Sequence, residues 1–141
     1  MEHLELARRC AEAMWSRDRA SQALGIEISE VAPGRAVASM TIREDQVNGH
    51  DIAHGGYVFT LADTAFAFAC NTHGRVTVAA GADIVFVAPS RLGERLVATA
   101  VERSRTGRNG IYDVTVRRDD GHLVAEFRGR SRQTADSILE G

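Results

Sequence analysis

His54-Gly55-Gly56-Tyr57-Val58-Phe59-Thr60-Leu61-Ala62-Asp63-Thr64-Ala65-Phe66-Ala67-Phe68-Ala69-Cys70-Asn71-Thr72-His73-Gly74 is the stretch that decides the fold. Wound as a helix it is apolar on almost every side, and such a helix belongs inside a fold rather than on its surface. Its single charge is Asp63. An ionised carboxylate in apolar surroundings is costly unless paired or solvated. Asp63 is therefore a defect tolerated by a partner group or the reason the segment exists, and we read it as the catalytic residue. Gly74 is placed to close the helix, which is expected from about Gly55 to His73.

Before this helix lies a polar loop, Glu44 to Ala53. Ile26 to Val31 and Arg35 to Ile42 alternate like strands around the turn sequence Ala32-Pro33-Gly34. Glu2 to about Leu24 has apolar residues at helical spacing and is expected to form one amphipathic helix ended by Gly25. After the helix the pattern is strands only. Thr77 to Val87 is apolar on both faces, as a central strand covered on both sides would be. Arg95 to Glu102, Ile111 to Arg117 and Val124 to Arg132 alternate more regularly. Ser104 to Gly110 is taken as a loop, Asp119-Asp120-Gly121 as a tight hairpin turn, and the polar tail from Gln133 as frayed. Short connections imply antiparallel neighbours. The expectation is a single α+β domain over residues 1–141, an antiparallel sheet wrapped around one helix with an extra helix in front. Thr77 to Val87 also needs cover for its second face, and a dimer would supply it.

Composition narrows the chemistry. A 141-residue chain with 44% hydrophobic and 26% charged residues is globular. A net charge of −2 argues against nucleic-acid binding. No apolar stretch is long enough to span a membrane, and no basic-then-apolar signal opens the chain. Cys10 and Cys70 stand apart without metal-ligand spacing, so reduced thiols in a cytoplasmic protein are expected. All 17 basic residues are Arg, which excludes lysine nucleophiles and Schiff bases.

Several motifs can be set aside. His50-Asp51-Ile52-Ala53-His54 imitates a zinc-protease signature, but glycines on either side mark it as loop, whereas that chemistry needs both imidazoles on one helical face. No metal is expected. There is no Gly-x-Ser-x-Gly elbow, and Asp63 is the only acid between Asp51 and Asp83, so a second glycosidase carboxylate has no local support. His54-Gly55-Gly56 is neither a phosphate loop nor a dinucleotide fingerprint. At a helix start, however, its free N–H groups make an anion site favoured by the helix dipole.

Gly55 and Asp63 are eight positions apart, roughly 12 Å along a helix at ~1.5 Å per residue. That is too far for both to address one carbonyl. If both act, two antiparallel helices from two chains must build each site.

Asn48-Gly49-His50, His54-Gly55-Gly56 and Leu61-Ala62-Asp63-Thr64-Ala65-Phe66-Ala67 closely resemble the hotdog-fold acyl-CoA thioesterases, in particular the phenylacetyl-CoA thioesterases of phenylacetate degradation. Similarity continues through Asp83 to Pro89, Gly110 to Asp113 and Phe127 to Gly129. The resemblance implies Asp63 as catalytic carboxylate and the Gly55 amide as the group polarising the thioester carbonyl. It implies Asn48 and His54 as residues orienting substrate and reacting water, with Thr64 helping to place water. Gly56, Asp83, Arg91, Arg105, Gly107 and Arg108 join Thr64 as the implied substrate-binding set, the arginines at the coenzyme A phosphates. A solvated surface explains any single arginine equally well. The resemblance further implies a dimer of dimers acting on aryl-acyl-CoA with no cofactor beyond the CoA of the substrate. Asp63 as nucleophile and Asp63 as base for water both remain open, as do two other functions. One is a hotdog enoyl-CoA hydratase or dehydratase; the other is a non-catalytic acyl-CoA sensor. Phe59, Phe66 and Phe68 are either an aryl pocket or core.

Overall fold

The apolar segment forms helix α3, Gly55–Cys70, and a six-stranded antiparallel sheet curls around it. The computed structural model describes residues 1–139. Two helices, α1 (His3–Trp15) and α2 (Arg19–Ala23), come first. They are followed by β1 (Glu27–Ala32) and β2 (Arg35–Thr41), a short 3-10 turn (Glu44–Gln46) and α3. The last four strands are β3 (Arg75–Phe86), β4 (Arg95–Thr106), β5 (Asn109–Arg118) and β6 (Leu123–Ser137). Their order in the sheet is β1-β2-β4-β5-β6-β3. The hotdog arrangement expected from the motifs is the one observed.

α3 lies across β2, β4 and β5, burying Leu61, Ala62, Ala65, Phe66, Phe68 and Ala69. The Phe66 ring sits 5.6 Å from Tyr112 and 5.8 Å from Phe127. It also lies over Gly129, where any Cβ would come within 2.7 Å of the ring. A side chain there would lift α3 off the sheet.

Local boundaries differ from expectation in five places. The first helix is broken at Ser16–Asp18, because Asp18 accepts from the Ser21 N–H and caps a second helix, α2. α3 stops at Cys70, not His73: the Asn71 side chain bonds the Ala67 and Thr77 carbonyls and accepts from the Thr77 N–H. Gly74, at φ +95°, turns the chain into β3 instead of capping the helix. Ser104 to Gly110 is not a loop but a continuation of β4 into β5 around Gly107, which has φ +61°. Gln133 to Ser137 is not frayed, since it pairs with Thr77 and Arg75 of β3. The final two positions of that tail, 140 and 141, lie outside the described residues.

The largest correction concerns β3. It is an edge strand, paired to β6 alone, and Val78, Val85 and Phe86 are exposed along it. Apolar character on both faces reports a need for cover, and it does not say whether the cover comes from the same chain.

Candidate active site

The loop before α3 is held by main-chain bonds at both ends. The Ala53 N–H donates to Ser90 and the His54 N–H to Gln46, while Ile52 bridges to Arg91. Inside it, the Asn48 carboxamide oxygen accepts from the N–H groups of His50 (2.9 Å) and Ile52 (3.4 Å). Asp51 takes a left-handed conformation at φ 58°, which Asp tolerates better than most residues. Asn48 thus shapes the loop through its oxygen, leaving its NH2 without a partner among the described residues.

His54 is the N-cap of α3. Its Nδ1 accepts from the Gly56 N–H at 3.0 Å. A Cβ on Gly56 would lie 3.1 Å from that Nδ1, which explains the glycine. The Tyr57 and Val58 N–H groups donate to the His54 carbonyl. Among the described residues, only the Gly55 N–H in this first turn is left without an acceptor. The expected anion site therefore reduces to one donor: Gly56 contributes its lack of side chain and no free amide. Phe86 of β3 closes over Gly55, with ring atoms 3.0 to 3.4 Å from where a Cβ would stand. Sequence reasoning missed Phe86, whose only signal was apolar character on a strand with no inner face left to fill.

Two turns along the helix, Asp63 is half-buried with no hydrogen-bond or ion-pair partner among the described residues, and burial raises its pKa above the ordinary carboxylate range. It opens onto a cavity of about 520 Å³ bounded by α3, the start of β3 and the end of α1. Cys70 borders the same cavity, but burial pushes its thiol up to about 12, so it is no nucleophile near neutral pH. Phe66 edges the cavity, whereas Phe68 packs on Trp15 at 6.3 Å and Phe59 on Phe127 at 5.3 Å as core.

The implied substrate-binding set is not brought together within one chain. The buried Thr64 hydroxyl shares a 3.0 Å hydrogen bond with Ser21 of α2. Asp83 makes an exposed 2.9 Å ion pair with Arg130. Arg91 stands beside the loop at the start of α3. Arg105, Gly107 and Arg108 line a narrow crevice with Cys70 and His73 at the helix's other end. A further polar group sits there that the sequence did not reveal. Glu102 accepts from Tyr112 at 2.8 Å and contacts His73 Nε2 at 2.9 Å, raising the Tyr112 pKa together with burial. No group of three or more metal-ligating side chains occurs among the described residues.

The model of the thioesterase superfamily matches residues 50–125, the span containing the end of the loop, α3, β3, β4 and β5. The chain belongs to the thioesterase superfamily. Within it, the chain is 41% identical over 128 residues to "Acyl-coenzyme A thioesterase PaaI" of Escherichia coli K12, covering 91% of each protein. A putative esterase of Archaeoglobus fulgidus is 30% identical over 89% of this chain and 81% of its own. The structure of the E. coli PaaI protein, from the phenylacetic acid degradation operon, superposes with a TM-score of 0.94 at 39% identity, covering 96% of this chain and 99% of that one. As a superfamily member the chain has α3 inside the matched span, while α1, α2, β1, β2 and the first part of the loop, with Asn48, precede it.

Proposed function

We infer that this protein is an acyl-CoA thioesterase that hydrolyses aryl-acyl-CoA such as phenylacetyl-CoA or its hydroxylated derivatives to the free acid and CoA. The observation that carries the reading is Asp63, a partnerless carboxylate kept at the edge of a cavity. Thioester hydrolysis puts negative charge on the carbonyl oxygen, and a fixed N–H at a helix start stabilises that charge without reorganisation. The free Gly55 N–H supplies the donor, and His54 leaves it free by taking the Gly56 N–H instead. Asp63 attacks the carbonyl carbon or takes a proton from water. Its raised pKa strengthens it in either role, and the CoA thiolate leaves without a strong acid. No cofactor is required.

Gly55 and Asp63 are too far apart on α3 to serve one carbonyl, so each site takes Gly55 from one chain and Asp63 from another. The bare β3 edge supports this pairing, because Phe86 over Gly55 and Val78 beside the Asp63 cavity both lie on it. An antiparallel second chain would also bring its Arg105 and Arg108 toward the first chain's Arg91, giving the CoA phosphates a common basic site. The assembly we propose is a dimer of dimers in the cytoplasm. Among the described residues, no helix is long and apolar enough to cross a membrane.

The test is thiol release from a panel of aryl-, hydroxyaryl- and alkyl-CoA thioesters. Asp63→Asn should keep the fold and bind substrate while losing on the order of 100- to 10,000-fold in rate. Because the carboxylate must be ionised, wild-type kcat/KM should fall as pH drops through the raised Asp63 pKa, above the usual carboxylate range. Near-wild-type turnover of Asp63→Asn removes the assignment. Loss of enoyl absorbance without thiol release would favour a hydratase.

A further inference from the structure

Met14 borders the cavity onto which Asp63 opens, although it comes from the last turn of α1 and precedes the matched family span. Two anchors make it a fixed wall. Ala7 and Cys10 bury the inner face of α1 completely. Next to Asp63, the Ser21–Thr64 hydrogen bond fastens α2 onto α3. Trp15, the neighbouring residue, packs on Phe68, so the end of α1 straddles α3 with Met14 on the Asp63 side.

The acyl group of a thioester is bonded to the very carbon that Asp63 must reach, so it occupies space adjoining that carboxylate. Of the polar side chains around the cavity, Asn71 bonds Ala67 and Thr77 and Asp18 caps α2, while the exposed Arg17 makes no side-chain hydrogen bond or ion pair among the described residues. The apolar part of the lining includes Met14, Phe66, Ala67, Val76 and Val78. They suit a hydrocarbon and leave the amides of a pantetheine arm unpaired.

We propose that Met14 is the specificity-determining wall of the acyl pocket, against which an arylacetyl ring ends. The proposal rests on Asp63 acting in thioester chemistry. A thioether is a favourable neighbour for an aromatic edge, and its flexible stem fits a flat ring more closely than a branched side chain would. Removing it lengthens the pocket, and a larger group shortens it.

The experiment measures kcat/KM by thiol release for acetyl-, phenylacetyl- and 4-phenylbutyryl-CoA in Met14→Ala, Met14→Phe and Met14→Leu, with melting temperatures for each. Met14→Ala should raise the phenylbutyryl-to-phenylacetyl ratio about tenfold, and Met14→Phe should lower the phenylacetyl-to-acetyl ratio about tenfold. Met14→Leu, close in volume, should keep the wild-type order. If Met14→Ala does not fold, Met14→Phe and Met14→Leu decide the question. Ratios unchanged in every folded variant, or rates falling in parallel for all three acyl groups, would overturn the proposal. Calorimetry with non-hydrolysable thioether analogues reads the same order without turnover. Binding that shifts with Met14 in a protein that releases no thiol would refute the hydrolytic reading and leave the wall standing.

Discussion

The two edges of the sheet are finished in opposite ways. β1 is short, presents Glu27, Ser29 and Glu30 to solvent, and is interrupted by a register shift between Ile28 and Glu30. α1 packs beside it. These are features by which a sheet edge avoids pairing with another chain. β3 is twelve residues long and carries Val78 at 49%, Val85 at 62% and Phe86 at 53% exposure. Both halves of the candidate site lie against this second edge. Gly55 sits under Phe86, and the Asp63 cavity is walled by Val76 and Val78. The edge left open is thus the one where, in the proposed dimer, a second chain completes the site, whereas α1, packed beside the closed edge, reaches the Asp63 cavity through its last turn.

Placing a charge on the open edge should have the largest effect. Phe86→Asp should yield monomers in sedimentation and lose hydrolysis with the proposed dimer, in which each site draws on two chains. Full activity in a proven monomer would break the link between edge and site. Smaller, and confined to one donor, is Gly55→Pro, which deletes the free N–H at a position where proline is tolerated. The expected cost is roughly a hundred- to thousand-fold in rate. Gly55→Ala keeps the N–H while adding a Cβ against Phe86, and so controls for crowding of that ring. Mixing Gly55→Pro with Asp63→Asn under subunit exchange should restore activity, because each mixed dimer has one intact site. Exchange without recovery would place both residues in a site from one chain.

His54→Ala should cost about 1 kcal/mol of stability through loss of the cap and lower turnover as the Gly56 N–H is freed to compete with Gly55. Asn48→Ala, loosening the loop, should act in the same direction. A drop in melting temperature with unchanged kinetics would make both purely structural. The smallest effect belongs to the closed edge, where Glu27→Lys should leave assembly and rate as they are. If it dissociates the dimer, the contrast between the edges fails.

Legibility in the sequence followed the range of the forces involved. α3 and its start were legible because helical periodicity, a cap and two glycines are local signals, and Asp63 stood out because it is the only charge in the segment. β3 was placed at the centre of the sheet because alternation registers how many faces are apolar and not what will cover them. Gln133 to Ser137 looked like a tail because its polar residues carry no burial signal, although β3 is long enough to pair with them. The Thr64 hydroxyl bond to Ser21, a partner 43 positions away, was not legible either.

The sequence by itself determined one buried helix, its lone carboxylate, its glycine start and the antiparallel strands around it, because each is written in neighbours within a few residues. Only the tertiary structure decided that β3 is an edge, that Phe86 closes over Gly55 and that Met14 faces the Asp63 cavity. Those contacts join residues far apart in the chain. They are set by how α3 crosses the sheet and by which strand is left without a partner, and no local pattern carries that geometry.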